Sequence, residues 1–445
     1  MPTVGLNRTA LFAALGKEYT EEEFDALCFE FGLELDEVVT EENGEVTYKI
    51  DIGANRYDLL CLEGIARNLL IFQGKMPIPT YEVEEGSAPV QRLVIERSTA
   101  VIRPHCVAAT LRGVTLDQTA YDSFIDLQDK LHQNIARNRT LVAIGTHDLD
   151  TLTGPFTYSA DPPKDIRFKP LNQAKEMSAP QMMELFSQDS HLKQYLHIIR
   201  DSPVYPVIRD SKGVVLSMPP IINGDHSKIS LKTKNIFIEC TGTDLTKTKV
   251  VLDTLVTMFS QHCKVPFRVE RAVVEDRNRN NVTVSYPELR YRTEVVEREK
   301  VCGLVGVTLT AAEIAKLLSK MCLESKALDG DRIEVTIPPT RHDILHACDI
   351  YEDVAIAYGY NNLTKTVPKT MTVARQLPIN KLSDQMRQSV AQAGFTETLT
   401  FSLCSRDDVS VKVRKSLDSV AAVHIANPKT QGSDSIGKKL AIVLA

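Results

Sequence analysis

With 445 residues the chain exceeds what one hydrophobic core holds and points to about three domains. Its 43% hydrophobic and 25% charged residues are ordinary for a globular protein, with no low-complexity tract. A formal net charge of −6 excludes nucleic-acid binding by bulk attraction, so any RNA contact must come from local patches or a partner.

The start, MPTVGLNRTALFAALGKEYTEEEF, lacks the basic segment and apolar run of a signal peptide, and no run approaches the length of a membrane span. The front region, 1–85, carries a capping box, Thr20…Glu23, followed by Phe24, Leu27 and Phe31 at helical spacing. A short alternating strand and a second helix ending near Gly74 complete it. Residues 86–115 are expected to be a linker. The middle region, 116–285, opens with a helix in YDSFIDLQDKLHQNIARNR and a buried strand in LVAIGTHDLD. Strands and tight turns follow in YPVIRDSKGVVLSMPPIINGDHSKI and NIFIECTGTD, then an apolar helix, KVVLDTLVTMFSQHC, capped near Asp244. This mixture predicts an α+β domain.

The region 298–368 repeats the first. Tyr48–Gly74 aligns without gaps on Ile333–Gly359, placing Arg56 on Arg341, Asp58 on Asp343 and Ile65 on Ile350. Upstream, the box Thr310…Glu313 with Ile314, Leu317 and Met321 matches the first helix after a shift of about five residues. The predicted fold class is therefore α+β and multidomain, two related helix–strand–helix domains flanking the middle domain. From Leu382, LSDQMRQSVAQAGFTETLTFSL reads as a helix followed by a strand, within a region spanning 372–430.

The nine cysteines (28, 61, 106, 240, 263, 302, 322, 348, 404) never form C-x-x-C. They fit reduced, mostly buried thiols in a cytosolic protein and give no zinc site.

Two constellations could carry chemistry. The second copy places Asp349, Glu352 and Asp353 on one helix face with Asp343 just ahead, where the first copy has Gly64, Arg67 and Asn68. Converging carboxylates call for a cation, and oxygen-only ligands favour magnesium or calcium. A solvated acidic face with Asp343 as a cap reads equally well. In the middle domain, Thr146, His147, Asp148, Ser217, Asn223, Asp225, His226, Glu239, Thr241 and Thr243 fall at predicted strand ends, where they can line a polar pocket. Taken singly they also read as turns, caps and structural residues. No hydrolase motif or phosphate-binding glycine loop is present.

ALCFEFGLELDE, IGANRYDLLCLEGIAR, VAIGTHDLDTLTGPFTY, SMPPIINGDHS, FIECTGTD and IPPTRHDILHACDIYEDVAIAYGYNN together resemble the archaeal–eukaryotic (cytosolic) phenylalanyl-tRNA synthetase β-subunit family. The resemblance runs from Met1 to about Lys429. It implies a magnesium domain whose ligands match Asp343, Asp349, Glu352 and Asp353. It also implies an editing domain that hydrolyses tyrosine wrongly esterified to the phenylalanine tRNA. Its pocket positions map onto Ser217, Glu239 and Thr241, with Ile208 a looser match; archaeal relatives carry aspartate at the position of Glu239. The region 372–430 resembles the start of the family's catalytic-like module, built on a class II synthetase-like antiparallel sheet. Phenylalanine activation, with ATP as substrate, then belongs to an α subunit in a cytoplasmic α₂β₂ heterotetramer acting on tRNA(Phe). After Asn427-Pro428-Lys429-Thr430 the family continues through an Arg-Thr-Thr-Leu-Leu-Pro-Gly-like segment, whereas residues 431–445 read QGSDSIGKKLAIVLA. That departure implies a C-terminal truncation with a divergent tail and a reduced surface for the α subunit. Two further readings stand beside the leading one: a separate hydrolase of mischarged tRNA, and a non-catalytic scaffold for RNA or protein.

Overall fold

A computed structural model of the chain describes residues 2–84, 89–399 and 403–425, with the backbone of 435–437. The chain divides into two compact units, Met1–Thr364 and Lys365–Ala445.

The first unit begins with β1 (Thr3–Asn7), α1 (Arg8–Leu15), α2 (Glu21–Phe31), β2 (Glu34–Thr40), β3 (Val46–Asp51) and α3 (Leu62–Phe72). The strands form an antiparallel sheet in the order β1-β3-β2. Helix α2 starts where the sequence requires it. Thr20 Oγ1 accepts from Glu23 N, and the Glu23 carboxylate accepts from Thr20 N. Phe24, Leu27 and Phe31 then bury one face, and Gly32 ends the helix in the left-handed region at φ 88°.

The middle of the unit is one large sheet with helices packed on it. Its elements are β4 (Glu82–Glu84), β5 (Gln91–Ile95), β6 (His105–Leu111), α4 (Gln118–Gln133), β7 (Val142–Asp148) and β8 (Phe156–Asp161). The short β9 (Arg167–Phe168) and β10 (Met177–Ser178) form a two-stranded antiparallel sheet and lead into α5 (Ala179–Phe186). Then come β11 (Tyr205–Arg209), β12 (Val215–Met218), β13 (Ile222–Asn223), β14 (Ile236–Gly242), α6 (Leu245–Phe259), β15 (Arg268–Asp276) and β16 (Val282–Tyr286). The strand order is β13-β12-β11-β8-β5-β15-β6-β14-β7, with β16 and β4 also pairing β15.

The stretch 86–115, expected to be a linker, instead supplies β5 and β6, and β6 lies between β15 and β14. Strand β6, buried almost throughout, loses the alternation by which strands are read, whereas β5 is only five residues long and partly exposed. The sheet also curls back on itself. Ser217 on β12 reaches Glu239 on β14, although five strands separate them along the hydrogen-bonded path, and Asp148 N donates to Ser227 O at 2.8 Å.

The unit closes with β17 (Arg292–Glu297), α7 (Arg298–Val305), α8 (Ala311–Lys320), β18 (Glu324–Leu328), β19 (Arg332–Ile337) and α9 (Ala347–Tyr358). The order β17-β19-β18 reproduces the first small sheet. The registers correspond too: Thr3 faces Asp51 as Thr293 faces Thr336, and Glu34 faces Asp51 as Glu324 faces Thr336. The duplication thus includes a leading strand and helix beyond the helix–strand–helix plan read from sequence. The copies pack on each other with exchanged partners, α2 on α9 and α3 on α8. Since α8 is the counterpart of α2 and α9 of α3, the contact is approximately two-fold.

The second unit holds α10 (Pro378–Gln392), β20 (Leu403–Cys404), α11 (Arg406–Val409), β21 (Ala422–His424) and β22 (Ser435–Gly437). Its strands form an antiparallel sheet in the order β20-β22-β21. Apart from the backbone of 435–437, the divergent tail lies outside the described residues.

Candidate functional site

A cavity of about 420 Å³ opens where the sheet curls back, a size typical of small-ligand sites. Glu239, Thr146, Ala143 and Ile144 contribute one wall, from β14 and β7. Pro219 to Gly224 form another, and α4 with the loop after it supplies Gln128, Asp129, His132 and Arg139. Phe186, Asp189 and His191 close the side formed by α5 and the residues after it.

Glu239 is the chemical centre of this wall. It is 1% exposed, and Oε1 accepts from Ser217 Oγ at 2.8 Å. Oε2 has no hydrogen-bond partner among the described residues. His147 Nε2 lies 3.8 Å from Glu239 Oε1 and has no hydrogen-bond partner among the described residues, while His147 Nδ1 is fixed by Ser227 Oγ at 2.8 Å. A buried carboxylate with one free oxygen demands a donor, since leaving it unmet costs roughly 1–3 kcal/mol or more. A ligand hydroxyl or ammonium in the cavity can supply that donor.

The room for this carboxylate comes from Gly145, directly opposite Glu239 on β7. A Cβ there would stand 2.1 Å from Glu239 Oε1 and 2.9 Å from His147 Nε2. A buried positive charge lies near this wall on Arg103, which is 1% exposed. Its Nε donates to Thr241 Oγ1 at 3.1 Å, its Nη2 to Thr241 O at 3.0 Å and its Nη1 to Thr140 O at 3.1 Å. Burial lowers its pKa, opposed by the charge of Glu239 among others. Thr241, two residues along β14 from Glu239, shares its face and joins Arg103 to the site.

Of the sequence candidates, Glu239, Thr146 and Asn223 line the cavity. Ser217 and His147 contact Glu239, and Thr241 lies behind the wall on Arg103. Ile208 faces Ser217 across the β11–β12 pair and is part of the buried core. The others have structural roles. Asp148 accepts from Asp150 N and Thr233 Oγ1, Asp225 pairs with Lys169, and Asp244 caps α6 through Lys247 N. The sequence reading missed Arg103, Gly145, His132 and Arg139. Only Arg139 had an available signal, as a basic residue just after a helix. Its loop takes left-handed φ angles of 46°, 52° and 63° at Arg137, Asn138 and Arg139. This brings the guanidinium 4.4 Å from the Tyr195 ring centroid and onto the carbonyls of Pro220 and Ile221.

The four carboxylates of the second copy do not converge on one point. Arg341 Nη2 lies 2.8 Å from Asp343 Oδ2 and 2.6 Å from Asp353 Oδ2. Asp349 Oδ2 accepts from Leu345 N and His346 N at 2.7 and 2.8 Å, ahead of α9, and Glu352 is exposed. Burial acts to raise the Asp343 pKa, but the charge and hydrogen bonds of Arg341, with the charge of Arg56, hold it below its ordinary value. Burial raises Asp353 to about 6 despite Arg341 and Arg56. Two of the four residues expected to hold magnesium, Asp343 and Asp353, meet at a guanidinium and the other two turn elsewhere, so as placed the four do not form one oxygen cage for the ion.

Family models match the chain in order. They are described as the Phe-tRNA synthetase beta subunit B1 domain (1–75), the B3/4 domain (104–264), the tRNA synthetase B5 domain (294–360) and the phenylalanyl tRNA synthetase beta chain CLM domain (363–440). The architecture is thus that of a modular synthetase β chain, with the cavity in the B3/4 segment. The phenylalanine–tRNA ligase beta subunits of Drosophila melanogaster and Homo sapiens are 58% and 56% identical over 97% of this chain and 75% of their own length. The yeast protein of the same name is 48% identical over 97% of this chain and 73% of its own. An N-terminal fragment of the phenylalanyl-tRNA synthetase beta-subunit from Pyrococcus horikoshii superposes with a TM-score of 0.73 at 33% identity, covering 80% of this chain and 99% of the fragment. The chain belongs to the phenylalanine–tRNA ligase beta-subunit family.

Proposed function

We propose that the chain works as the β subunit of a phenylalanine–tRNA ligase, joined to an α subunit in an α₂β₂ heterotetramer, and that its cavity removes tyrosine wrongly esterified to tRNA(Phe). The carrying observation is Glu239, a buried carboxylate on the wall of a cavity sized for an amino acid, with Ser217 on one oxygen and no described residue on the other.

The selectivity follows from physics. A phenylalanine pocket rejects tyrosine only by crowding its hydroxyl, so a second sieve that rewards that hydroxyl improves accuracy. The free oxygen of Glu239 accepts the phenol hydrogen, and Ser217 holds the carboxylate in place. Phenylalanine would leave that oxygen unmet. Hydrolysis then needs water to add to the ester carbonyl and the bond to the ribose oxygen to break. The water's protons pass to the ribose oxygen and to solvent. No protein nucleophile is required for an already activated ester. Cys240, between Glu239 and Thr241, is unsuited to that role because burial pushes its thiol well above its ordinary pKa.

The domain division follows the same reading, with the bounds moved to the observed strands: 1–75 and 292–362 as the paired small domains, the sheet from β5 to β16 (91–286) for editing, and 372–430 as the start of a class II synthetase-like sheet module against the α subunit. ATP and magnesium enter as reactants at the α subunit, and the working site is the cytoplasm; the Arabidopsis thaliana relative carries the word cytoplasmic in its name. Among the described residues no helix is long and apolar enough to cross a membrane.

Co-expression with the cognate α subunit, size exclusion and two assays on the complex test this reading. Stable assembly, phenylalanine charging and tyrosine release from mischarged tRNA are expected. Tyrosine release by the chain alone, without assembly, would instead identify a free-standing hydrolase. Neither activity would leave the scaffold reading.

A further inference from the structure

The acidic set of the second small domain is served by a cation the chain itself provides. Arg341 is 2% exposed, and its guanidinium spans Asp343 through Nε at 3.0 Å and Nη2 at 2.8 Å. The same Nη2 reaches Asp353 on α9 at 2.6 Å, and Nη1 donates to Met321 O at the end of α8 at 2.7 Å. One side chain therefore joins the loop before α9, α9 itself and the end of α8. A fork bound in this way takes up the carboxylate lone pairs that a divalent cation would use, and its charge opposes the entry of one. Asp349 is committed to the backbone ahead of α9, and Glu352 points to solvent.

The first copy supports the same conclusion. It has Gly64, Arg67 and Asn68 where the second has Asp349, Glu352 and Asp353, so it lacks the acidic helix face. It nevertheless holds the Arg56–Asp58 pair, at 2.9 and 2.8 Å, in the place of Arg341–Asp343. The feature common to both copies is the arginine–aspartate pair, not the acidic triad. The pairs also lie near the contact between copies: Met321, held by Arg341, precedes Cys322, whose thiol donates to Asn68 Oδ1 of α3 at 3.1 Å.

We propose that Arg341, rather than a divalent cation, is the counter-ion of Asp343 and Asp353, and that it fastens the second small domain internally and against the first.

The test uses the full chain, thermal unfolding in magnesium and in EDTA, and Mn2+ binding read by electron paramagnetic resonance. Equal unfolding midpoints in magnesium and EDTA are expected. Arg341→Met is expected to lower the midpoint by roughly 6–10 °C, because it strands two buried carboxylates. Glu352→Gln is expected to match the parent in both midpoint and Mn2+ binding. A midpoint that rises saturably with magnesium, or Mn2+ binding that Glu352→Gln abolishes, would overturn the proposal. So would an Arg341→Met chain as stable as the parent. Should Arg341→Met fail to fold, the parent and Glu352→Gln measurements decide on their own.

Discussion

Ser217 Oγ donates to Glu239 Oε1 at 2.8 Å, across a sheet whose connected path puts β12 and β14 far apart. The bond exists because the sheet curls back, and it leaves Glu239 Oε2 free. Replacing Glu239 with Gln keeps the shape but removes the charge that strengthens a hydrogen bond to a phenol. A charged hydrogen bond contributes about 1.5–3 kcal/mol, so kcat/KM for tyrosine release should fall about 10- to 100-fold. Ser217→Ala should lose only about 1 kcal/mol, roughly a five-fold effect. Hydrolysis of tyrosyl-tRNA by the α-subunit complex measures both, and equal activity in all three chains would remove Glu239 from the mechanism.

Gly145 tests the same geometry from the opposite strand. A Cβ placed 2.1 Å from Glu239 Oε1 must displace the carboxylate or part β7 from β14. Gly145→Ala should therefore reduce tyrosine release as strongly as Glu239→Gln, with a stability loss of about 1–3 kcal/mol from overpacking. Parallel hydrolysis and urea-unfolding measurements check this. An alanine variant with full activity would show that the carboxylate does not need its present position.

How much of this was legible in the sequence depended on how local the signal was. The boxes Thr20…Glu23 and Thr310…Glu313 state their structure within four residues, and both form as read. The repeat was legible because apolar spacing and the Arg-x-Asp pair recur together. Strand β6 was not, since a strand buried on both faces carries no alternation to read, and β5 offers only five residues of pattern. The walls from α4 and α5 were missed because Gln128, Asp129 and His132 have the polar look of a solvated helix face. The acidic cluster shows the sharpest limit. The sequence displays four carboxylates, but which cation meets them depends on where the Arg341 side chain lies in three dimensions.

His132 gives the cavity a pH limit. Its ring is 5% exposed, and its Nε2 accepts from Ile144 N at 2.9 Å, a bond that needs the unprotonated nitrogen. Burial lowers its pKa from 6.5 to about 4, against the opposing influence of the nearby Asp129 carboxylate. In the window from 6.5 down to about 4, the unfolded chain binds the proton and the folded chain does not. Stability linked to this group is therefore full above pH 6.5 and is lost as pH falls through that window, by about 3 kcal/mol in all. Unfolding midpoints between pH 7 and pH 4 should fall less steeply in His132→Gln than in the parent. Parallel curves would assign the acid sensitivity to other groups.

The end of β14 couples stability to the site. Asp244 accepts from Lys247 N at 3.1 Å and so starts α6, the buried helix beneath the sheet. Asp244→Ala should lose about 1 kcal/mol, the usual contribution of a cap, without moving Thr241 three residues earlier. Gly242 sits closer to the chemistry. A Cβ there would meet Thr248 Oγ1 at 2.0 Å, and Thr248 is already bound to Asp244 O at 2.6 Å. Gly242→Ala must therefore shift either the first turn of α6 or the end of β14, where Thr241 holds Arg103. The cap variant is expected to unfold earlier in urea while keeping its tyrosine-release rate, and the glycine variant to lose both. If Gly242→Ala lowers only stability, Thr241 and its arginine are support for the sheet and not part of how the cavity orients its substrate.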